Sequence, residues 1–260
     1  MKMISFWKTP VSNVLLSTED IHIWRVGLDS ATLSIAELNQ ILSVDERTRA
    51  NRYRFAQDRN RFVVRRGILR TILGHYLGVA PSQVRFRYEI HGKPVLADGT
   101  GNSNIRFNLS HSDGIALLAF TRNYKIGVDI ERIRDISEMD QIAASFFSEG
   151  EYAVFRSLPK DKKKEAFFDC WTRKEAFVKA TGDGLSYPLD KFEVSLMPDE
   201  PARLLRLEGA TKKLHQWSIQ ELKPALDFTA ALAVKRRNWR LHYWKWSNIY
   251  TKLYLNRKIS

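Results

Sequence analysis

Two short segments carry acidic and basic side chains at spacings that could bind a metal ion and a phosphate group. In the first, which reads as an extended strand, Asp129 and Glu131 share one face because successive side chains of a strand point to opposite faces. In the second, which reads as a helix, Trp171, Glu175 and Lys179 recur at every fourth position and therefore align along one side. Magnesium prefers oxygen ligands and is usually held by one or two carboxylates together with substrate phosphates. The two segments therefore predict a magnesium site for phosphate-group chemistry.

Each segment has a plainer explanation when it is taken alone. An acidic pair on a strand is usually its solvated face, and a glutamate four residues before a lysine on a helix is usually a weak surface ion pair. However, Asp129 follows Gly127 in an otherwise apolar strand. The helix carries Trp171, Phe177 and Val178 and is largely apolar. We therefore expect these charges to lie on partly buried elements.

Four further short motifs accompany these two segments along the chain. They are a Gly-Lys-Pro turn, an Asn-x-Ser-His-Ser strand end, a Phe-Phe-Ser-x-x-Glu segment and a Gly-Asp-Gly-Leu turn, at Gly92–Pro94, Asn108–Ser112, Phe146–Glu151 and Gly182–Leu185. In their order and spacing the six motifs resemble those of the 4′-phosphopantetheinyl transferases of the larger, surfactin-synthetase-activating type. The resemblance extends from about residue 43 to residue 196. A single motif of this kind is weak, whereas the ordered series is specific.

The resemblance implies an activity and its cofactors. The expected reaction is transfer of the 4′-phosphopantetheine group from coenzyme A to a serine of an acyl, peptidyl or aryl carrier protein, which releases adenosine 3′,5′-bisphosphate. The resemblance also implies a bound Mg²⁺, for which Mn²⁺ could substitute. Its expected ligands are Asp129, Glu131 and Glu175.

The resemblance also implies the residues that contact coenzyme A and the residues that act in catalysis. The expected contacts of coenzyme A are Arg49, Arg61, Lys93, Pro94, Ser110, His111, Lys174 and Lys179. The expected catalytic residues are Glu175, Glu151 and Lys179. Deprotonating the serine requires a base, and the sequence does not choose between Glu175, Glu151 and a metal-bound water. Glu46 stands where relatives place a further cation, so the clamp for the 3′-phosphate of coenzyme A is less secure than the metal site.

The net charge of +13 and the isoelectric point near 9.8 favour an anionic partner. Nine arginines and a single acid, Asp58, lie between residues 47 and 70. Many of these arginines could simply cover a solvated helix face. Guided by the resemblance, we interpret the excess charge as suited to coenzyme A and to an acidic carrier protein.

Two other functions fit parts of this pattern. A magnesium-dependent nucleotide hydrolase could use the same charged segments, but no Walker-type glycine loop accompanies them. A basic nucleic-acid-binding protein would explain the charge, but no helix-turn-helix, zinc-finger, RNP or KH signature is present. We therefore expect an enzyme without a nucleic-acid partner.

The cysteine and histidine content indicates which cellular compartment and which metals to expect. A single cysteine, Cys170, rules out an intrachain disulfide and favours an inert buried thiol in the cytoplasm. The longest apolar run, Ile115–Phe120, is too short to span a membrane, and the N-terminus lacks the apolar region of a signal peptide. The histidines other than His111 form no metal-like cluster in the sequence, so zinc or iron binding is not expected: His22, His75, His91, His215 and His242.

The chain repeats one order of elements, which indicates an α+β fold of two similar lobes. Helical periodicity over residues 60–77 and again over residues 164–181 is followed each time by glycine, proline and a short strand. Three short strands occur between residues 105 and 130, and three more between residues 217 and 244. We predict a pseudo-duplicated monomer, each lobe a small antiparallel sheet packed with a long helix. The lobes would cover residues 1–123 and 124–260, the second with a peripheral C-terminal tail. The resemblance places the active site between them.

Overall fold

The computed structural model describes residues 7–10, 13–30, 34–99, 104–184, 187–197, 200–209 and 211–247. The predicted C-terminal tail, from residue 247 to residue 260, therefore lies outside the described residues except for its first residue. Within the described part of the chain, no helix is both long enough and apolar enough to cross a lipid bilayer.

Six α-helices and eleven β-strands form in the described residues. The helices are α1 (Ile35–Gln40), α2 (Val44–Asn51), α3 (Ala56–Leu77), α4 (Met139–Phe146), α5 (Glu149–Ser157) and α6 (Lys160–Thr181). The strands are β1 (Asp20–Gly27), β2 (Phe86–Tyr88), β3 (Pro94–Leu96), β4 (Ile105–Ser112), β5 (Ile115–Arg122), β6 (Ile126–Arg132), β7 (Phe192–Val194), β8 (Leu204–Leu207), β9 (Ser218–Leu222), β10 (Phe228–Val234) and β11 (Arg240–Lys245).

The two long helices, α3 and α6, confirm the predicted repeat. Each has 22 residues, and each ends at a glycine in the left-handed region, Gly78 with φ of 70° and Gly182 with φ of 89°. Glycine is favoured there because it has no Cβ to clash with the following backbone. The C-terminal ends match the predicted ends, and each helix begins four residues earlier than the periodicity predicts, at residues 56 and 160.

Each long helix packs on its own sheet, which confirms the predicted α+β fold of two lobes. Helix α3 covers a sheet of order β11-β1-β5-β4, and α6 covers a sheet of order β6-β10-β9. A two-stranded hairpin follows each long helix, β2-β3 in the first lobe and β7-β8 in the second. The apolar residues of α3 and α6 fill one core in each lobe.

One strand crosses the predicted boundary between the lobes. Strand β11, from the second half of the chain, pairs in parallel with β1 and completes the sheet of the first lobe. No local pattern in the sequence indicates a pairing between strands some 220 residues apart, as Asp20 and Arg240 are. The division into residues 1–123 and 124–260 stays a prediction, and β11 is an exception to it.

A third apolar core lies between the two main sheets. It joins residues of β1 and β5, such as Ile23 and Leu117, to residues of β6 and β10, such as Val128, Ile130 and Leu232. Each of these five side chains is essentially inaccessible to solvent. The predicted apolar face of β6 therefore packs in the core between the lobes. The opposite face carries Asp129 and Glu131.

Gly127 explains why β6 and α6 can approach so closely. A Cβ atom at this position would lie 2.1 Å from the carbonyl oxygen of Ala176 and 2.4 Å from the backbone nitrogen of Ala180. Both atoms belong to the helix backbone and cannot rotate away. Only glycine fits, and the contact places Asp129, two residues later on β6, next to α6.

We expect Gly127→Ala to lower the free energy of unfolding by about 3 kcal/mol or more, because the added methyl group must push the helix from the strand. Denaturant titration would measure the loss. Gly27→Ala is the matched control, since a Cβ at Gly27, also on a strand, would meet no atom within 4 Å. Equal stability of the two variants would contradict the close approach.

Candidate active site

Polar side chains of β4 form a ladder with β6 where the two lobes meet. Asn108 and Ser110 are two residues apart on β4, so their side chains lie on the same face of the strand. The Oδ1 atom of Asn108 accepts a hydrogen bond from the backbone nitrogen of Val128 at 2.9 Å. The Ser110 hydroxyl donates to Oδ1 of Asp129 at 2.8 Å. These bonds join the edge strands of two separate sheets and orient the Asp129 carboxylate.

Ser112 continues the ladder at its open end. Its hydroxyl donates to Oε2 of Glu131 at 3.0 Å and accepts from the backbone nitrogen of Arg132 at 3.1 Å. Partial burial raises the pKa of Glu131, and the negative charge of Asp129 raises it further, against the lowering effects of the Ser112 hydrogen bond, Arg134 and Lys179. The two carboxylates predicted to share a face of β6 therefore do so, close enough to repel.

Helix α6 presents the predicted stripe to these carboxylates. Trp171, Glu175 and Lys179 are half-buried, whereas the residues between them are buried. The ammonium group of Lys179 donates to Oδ1 of Asp129 at 2.5 Å and to the Ser110 hydroxyl at 3.0 Å. Strand β4, strand β6 and helix α6 each contribute one side chain to this contact.

The carboxylates of this site fit a hard divalent cation. The second oxygen of Asp129, Oδ2, is buried and has no hydrogen-bond partner among the residues that the structure describes. Burial raises the pKa of Glu175, and Asp129 raises it further while Lys179 opposes the shift. Excess negative charge and an unpartnered carboxylate oxygen are what Mg²⁺ would satisfy. In the structure as described, the ligand atoms of Asp129, Glu131 and Glu175 do not all lie within 4.8 Å of one another, and Lys179 balances Asp129.

A cleft runs from this site along the first lobe. Its central part is lined by five of the residues predicted to contact coenzyme A, and the adjoining parts share lining residues with it. His111 is exposed at the junction of two of these parts. The five predicted residues are Arg49, Pro94, Ser110, His111 and Lys179.

Two arginines beside Phe62 form the most basic part of the cleft. The guanidinium groups of Arg49 and Arg65 each lie 5.7 Å from the centroid of the Phe62 ring. The pKa of Arg65 is lowered to about 10, mainly by burial, with Tyr53 opposing the shift and the charges of Arg66 and Arg49 adding to it. Neither Arg49 nor Arg65 makes an ion pair with a carboxylate of the described residues. An anion bound here would relieve the repulsion.

Glu46, the departure from the family pattern, does not neutralise this cluster. It is buried on α2, where its carboxylate accepts hydrogen bonds from the backbone of Ser43 at 3.0 Å and from Nε of Arg70 at 2.6 Å. It also forms an ion pair with Arg66 at 2.8 Å. Glu46 therefore fastens α2 to α3 and positions Arg49, which follows on the next turn of α2.

Arg61 and Lys93, two of the predicted coenzyme A contacts, each have a partner within the described residues, and their predicted roles stay predictions. Arg61 makes a two-point contact with Asp29, at 2.8 Å and 2.6 Å, and this contact lowers the pKa of the Asp29 carboxyl. The ammonium group of Lys93 donates to the backbone carbonyl of Lys179 at 2.5 Å. Lys93 thus ties the β2-β3 hairpin to the C-terminal end of α6, where a positive charge is favourable.

Two further predicted site residues, Glu151 and Lys174, contact each other. They are an ion pair inside the second lobe, with the ammonium 2.5 Å and 2.8 Å from the two carboxylate oxygens. Glu151 also accepts from the backbone nitrogens of Ser148 and Val194. Both side chains are buried. The roles of Glu151 as a base and of Lys174 as a coenzyme A contact stay predictions.

The expectation of no histidine cluster is wrong. Asp20, His22 and His242 are the one group of three histidine, cysteine or acidic residues, among those described, whose potential ligand atoms all lie within 4.8 Å of one another. Burial, with a smaller effect of His242, lowers the pKa of His22 to about 3. The pairing of β1 with β11 creates this group, and it lies on the sheet of the first lobe.

Several site residues escaped the sequence prediction. Asn108 and Ser112 lie in a recognised motif, and strand alternation with Ser110 could have placed them on its face. Arg65 could not be separated from the other arginines of the basic tract, because only packing against Phe62 distinguishes it.

Two similar lobes, carboxylates at their junction and a basic cleft are features that suit a protein acting on a phosphorylated ligand. A family model described as the 4′-phosphopantetheinyl transferase superfamily matches residues 125–235, and one described as 4′-phosphopantetheinyl transferase, N-terminal, matches residues 30–123. The chain is 43% identical over 238 residues to 4′-phosphopantetheinyl transferase HetI of Nostoc sp., covering 92% of this chain and 97% of that protein. It is 34% identical over 158 residues to 4′-phosphopantetheinyl transferase Sfp of Bacillus subtilis, covering 61% of this chain and 68% of that protein.

The chain therefore belongs to the 4′-phosphopantetheinyl transferase superfamily. It transfers the 4′-phosphopantetheine group from coenzyme A to carrier proteins. This assignment decides between the transferase and the two alternatives, a nucleotide hydrolase and a nucleic-acid-binding protein.

We expect Glu151→Gln to lower the free energy of unfolding by about 3–5 kcal/mol, because it leaves the buried Lys174 charge without a partner. Denaturant unfolding would measure this loss. Glu200→Gln, which removes one partner of an exposed pair with Arg203, should change stability little. The folded Glu151 variant should keep most of its transfer rate. If the variant keeps its stability but loses its transfer rate, Glu151 is the better candidate for the base.

Proposed function

We propose that the cleft of the first lobe holds coenzyme A with its phosphates directed toward the lobe junction. Arg49 and Arg65 bind the 3′-phosphate, since they are the closely packed cations of the cleft without a carboxylate partner in the described residues. His111 and Lys179, at the end of the cleft nearest Asp129, contact the diphosphate. Charge-assisted hydrogen bonds to phosphate are among the strongest that side chains make.

We further propose that Asp129, Glu131 and Glu175 provide oxygen ligands for Mg²⁺, with Mn²⁺ as a substitute. The buried, unpartnered Oδ2 of Asp129 is the observation that supports this most directly. When bound, the ion would polarise the diphosphate oxygens and offset their charge. Lys179 is about one third exposed and could exchange Asp129 for a phosphate oxygen.

The transfer breaks the bond between the pantetheine-side phosphorus and the bridging oxygen of the diphosphate. The carrier serine oxygen forms the new bond to that phosphorus, and adenosine 3′,5′-bisphosphate leaves. Glu175 lies near Asp129 and Lys179, whereas Glu151 is buried in the second lobe. We therefore propose that Glu175 accepts the proton of the carrier serine. Its raised pKa makes it a better proton acceptor than an exposed glutamate. Lys179 and His111 stabilise the charge on the leaving phosphate.

The proposed protein partner is an acidic carrier, taken up by a monomer. The net charge of +13 would attract such a carrier over about 8 Å at physiological ionic strength. Phe146 supports a contact beside the site: it is 44% exposed and packs edge-on against Trp171, with ring centroids 5.8 Å apart. Its neighbour Phe147 is buried in the core of the second lobe.

We expect Asp129→Asn to reduce transfer roughly 100-fold or more, because it removes the central negative charge of the site. Mass spectrometry of an apo carrier protein incubated with coenzyme A and Mg²⁺ would measure the transfer. The same variant should require more Mg²⁺ for half-maximal rate. Asp140→Asn, at an exposed position paired with Lys163, is the control and should behave as the unaltered protein. A folded Asp129 variant with normal turnover at limiting Mg²⁺ would refute the metal assignment.

We expect Arg65→Ala and Arg49→Ala each to raise the KM for coenzyme A roughly tenfold or more. The KM for dephospho-coenzyme A, which lacks the 3′-phosphate, should change much less, and steady-state kinetics with both substrates would show this. Arg61→Ala is the matched comparison, since Asp29 already neutralises that charge. A larger loss of discrimination in the Arg61 variant would reverse the assignment.

A further inference from the structure

The pairing of β1 with β11 brings together three potential metal ligands that the transferase chemistry does not use. Asp20 and His22 are two residues apart on β1 and share a face. His242 lies directly opposite His22 on β11, and the two imidazole ring centroids are 5.1 Å apart. Nε2 of His242 lies 3.2 Å from Oδ1 of Asp20. The chain thus assembles two imidazoles and one carboxylate from opposite ends of its sequence.

We propose that Asp20, His22 and His242 bind a transition-metal ion of the zinc class, which fastens the C-terminal strand to the first strand of the protein. Two imidazoles and a carboxylate form a frequent ligand set for zinc, with water in the fourth position. The ion would stabilise the pairing of β11 with β1.

The spacing of the donor atoms suits one ion. Nitrogen and oxygen atoms that bind a single zinc at about 2.0–2.2 Å in tetrahedral geometry lie roughly 3.3 Å apart. The Asp20 and His242 atoms already have this separation, at 3.2 Å. All three potential ligand atoms lie within 4.8 Å of one another, so they converge closely enough for one ion to draw them together.

Neighbouring residues orient the buried imidazole as they do in metal sites. The Nδ1 atom of His22 is hydrogen-bonded to the Tyr76 hydroxyl at 2.7 Å, and that hydroxyl also accepts from the Trp24 indole at 2.9 Å. In the tautomer that donates Nδ1–H to Tyr76, Nε2 of His22 carries the lone pair that a metal would bind. A hydrogen bond from the non-ligating nitrogen is the usual support of a histidine ligand. His242 is partly exposed and gives access to the site.

Arg240 is the feature of the site that opposes a cation. Its Nε donates to Oδ1 of Asp20 at 3.0 Å, so its positive charge competes for the carboxylate. The guanidinium is 64% exposed and also lies 3.6 Å from Glu19, an alternative partner outside the cluster. Arg240 can therefore leave Asp20 to an ion without losing every acidic neighbour, and its removal should strengthen metal binding.

The proposed ion is distinct from the magnesium of the transfer reaction. Imidazole nitrogen binds zinc, cobalt and nickel well, whereas Mg²⁺ prefers oxygen ligands and retains its waters. Excess Mg²⁺ should therefore not displace it. The failure of this proposal would leave the assignment of Asp129 untouched, because the two sites share no residue.

The test is a zinc titration of the full-length, chelator-stripped protein in excess Mg²⁺, read with a chromophoric zinc indicator. We expect one tightly bound ion per chain. His242→Ala and Asp20→Asn should each weaken its affinity roughly 100-fold or more, and Arg240→Ala should tighten it several-fold. Bound Co²⁺ should give the visible absorption of a low-coordinate site in the unaltered protein and not in the His242 variant.

Stability gives a second readout. Saturating Zn²⁺ should raise the melting temperature by roughly 5 °C in the unaltered protein and should not do so in the His242 variant. The matched control is His215→Ala, at an exposed histidine outside the cluster, which should keep the full zinc affinity. No tightly bound zinc in the unaltered protein, or equal affinity in the His242, Asp20 and His215 variants, would show that the cluster is only a hydrogen-bonded network.

Discussion

The site depends on the ladder that joins β4 to β6. Neither strand pairs with the other in a sheet, so the side chains of Asn108, Ser110 and Ser112 replace the missing backbone hydrogen bonds at the lobe junction. This constraint fixes the carboxylates of β6 against the cleft of the first lobe.

Burial separates the structural charges of this protein from the functional ones. In the Glu46–Arg70 and Glu151–Lys174 pairs, both partners are at most 2% exposed, and such pairs fix one arrangement of helices and strands. Lys179 makes an equally short contact with Asp129, yet its side chain is 30% exposed. An ammonium group that reaches solvent can change partner when a phosphate arrives, whereas a fully buried one cannot.

Periodicity in the sequence predicted the parts of the fold and of the site that depend on local spacing. Both long helices, the alternation of β6 and the stripe of Glu175 and Lys179 on α6 follow from it. The burial of Glu151 and Lys174 could not be predicted, because a charged residue in a motif has the same pattern whether it faces the cleft or the core. The pairing of β1 with β11 could not be predicted from the sequence, because a periodic pattern within one segment does not identify a partner strand some 220 residues away.

The two lobes have similar folds, but their long helices carry different functional groups. In the first lobe α3 turns arginines toward the cleft, and in the second α6 turns Glu175 and Lys179 toward β6. In the proposed binding mode, the cations contact one end of coenzyme A and the acid cluster would hold Mg²⁺ at its diphosphate. The cations lie on α2 and α3, and the acids lie on β6 and α6. The distance between the two sets therefore depends on the interlobe core and the ladder of β4. Any change that shifts one lobe against the other should therefore impair transfer even when every charged residue is intact.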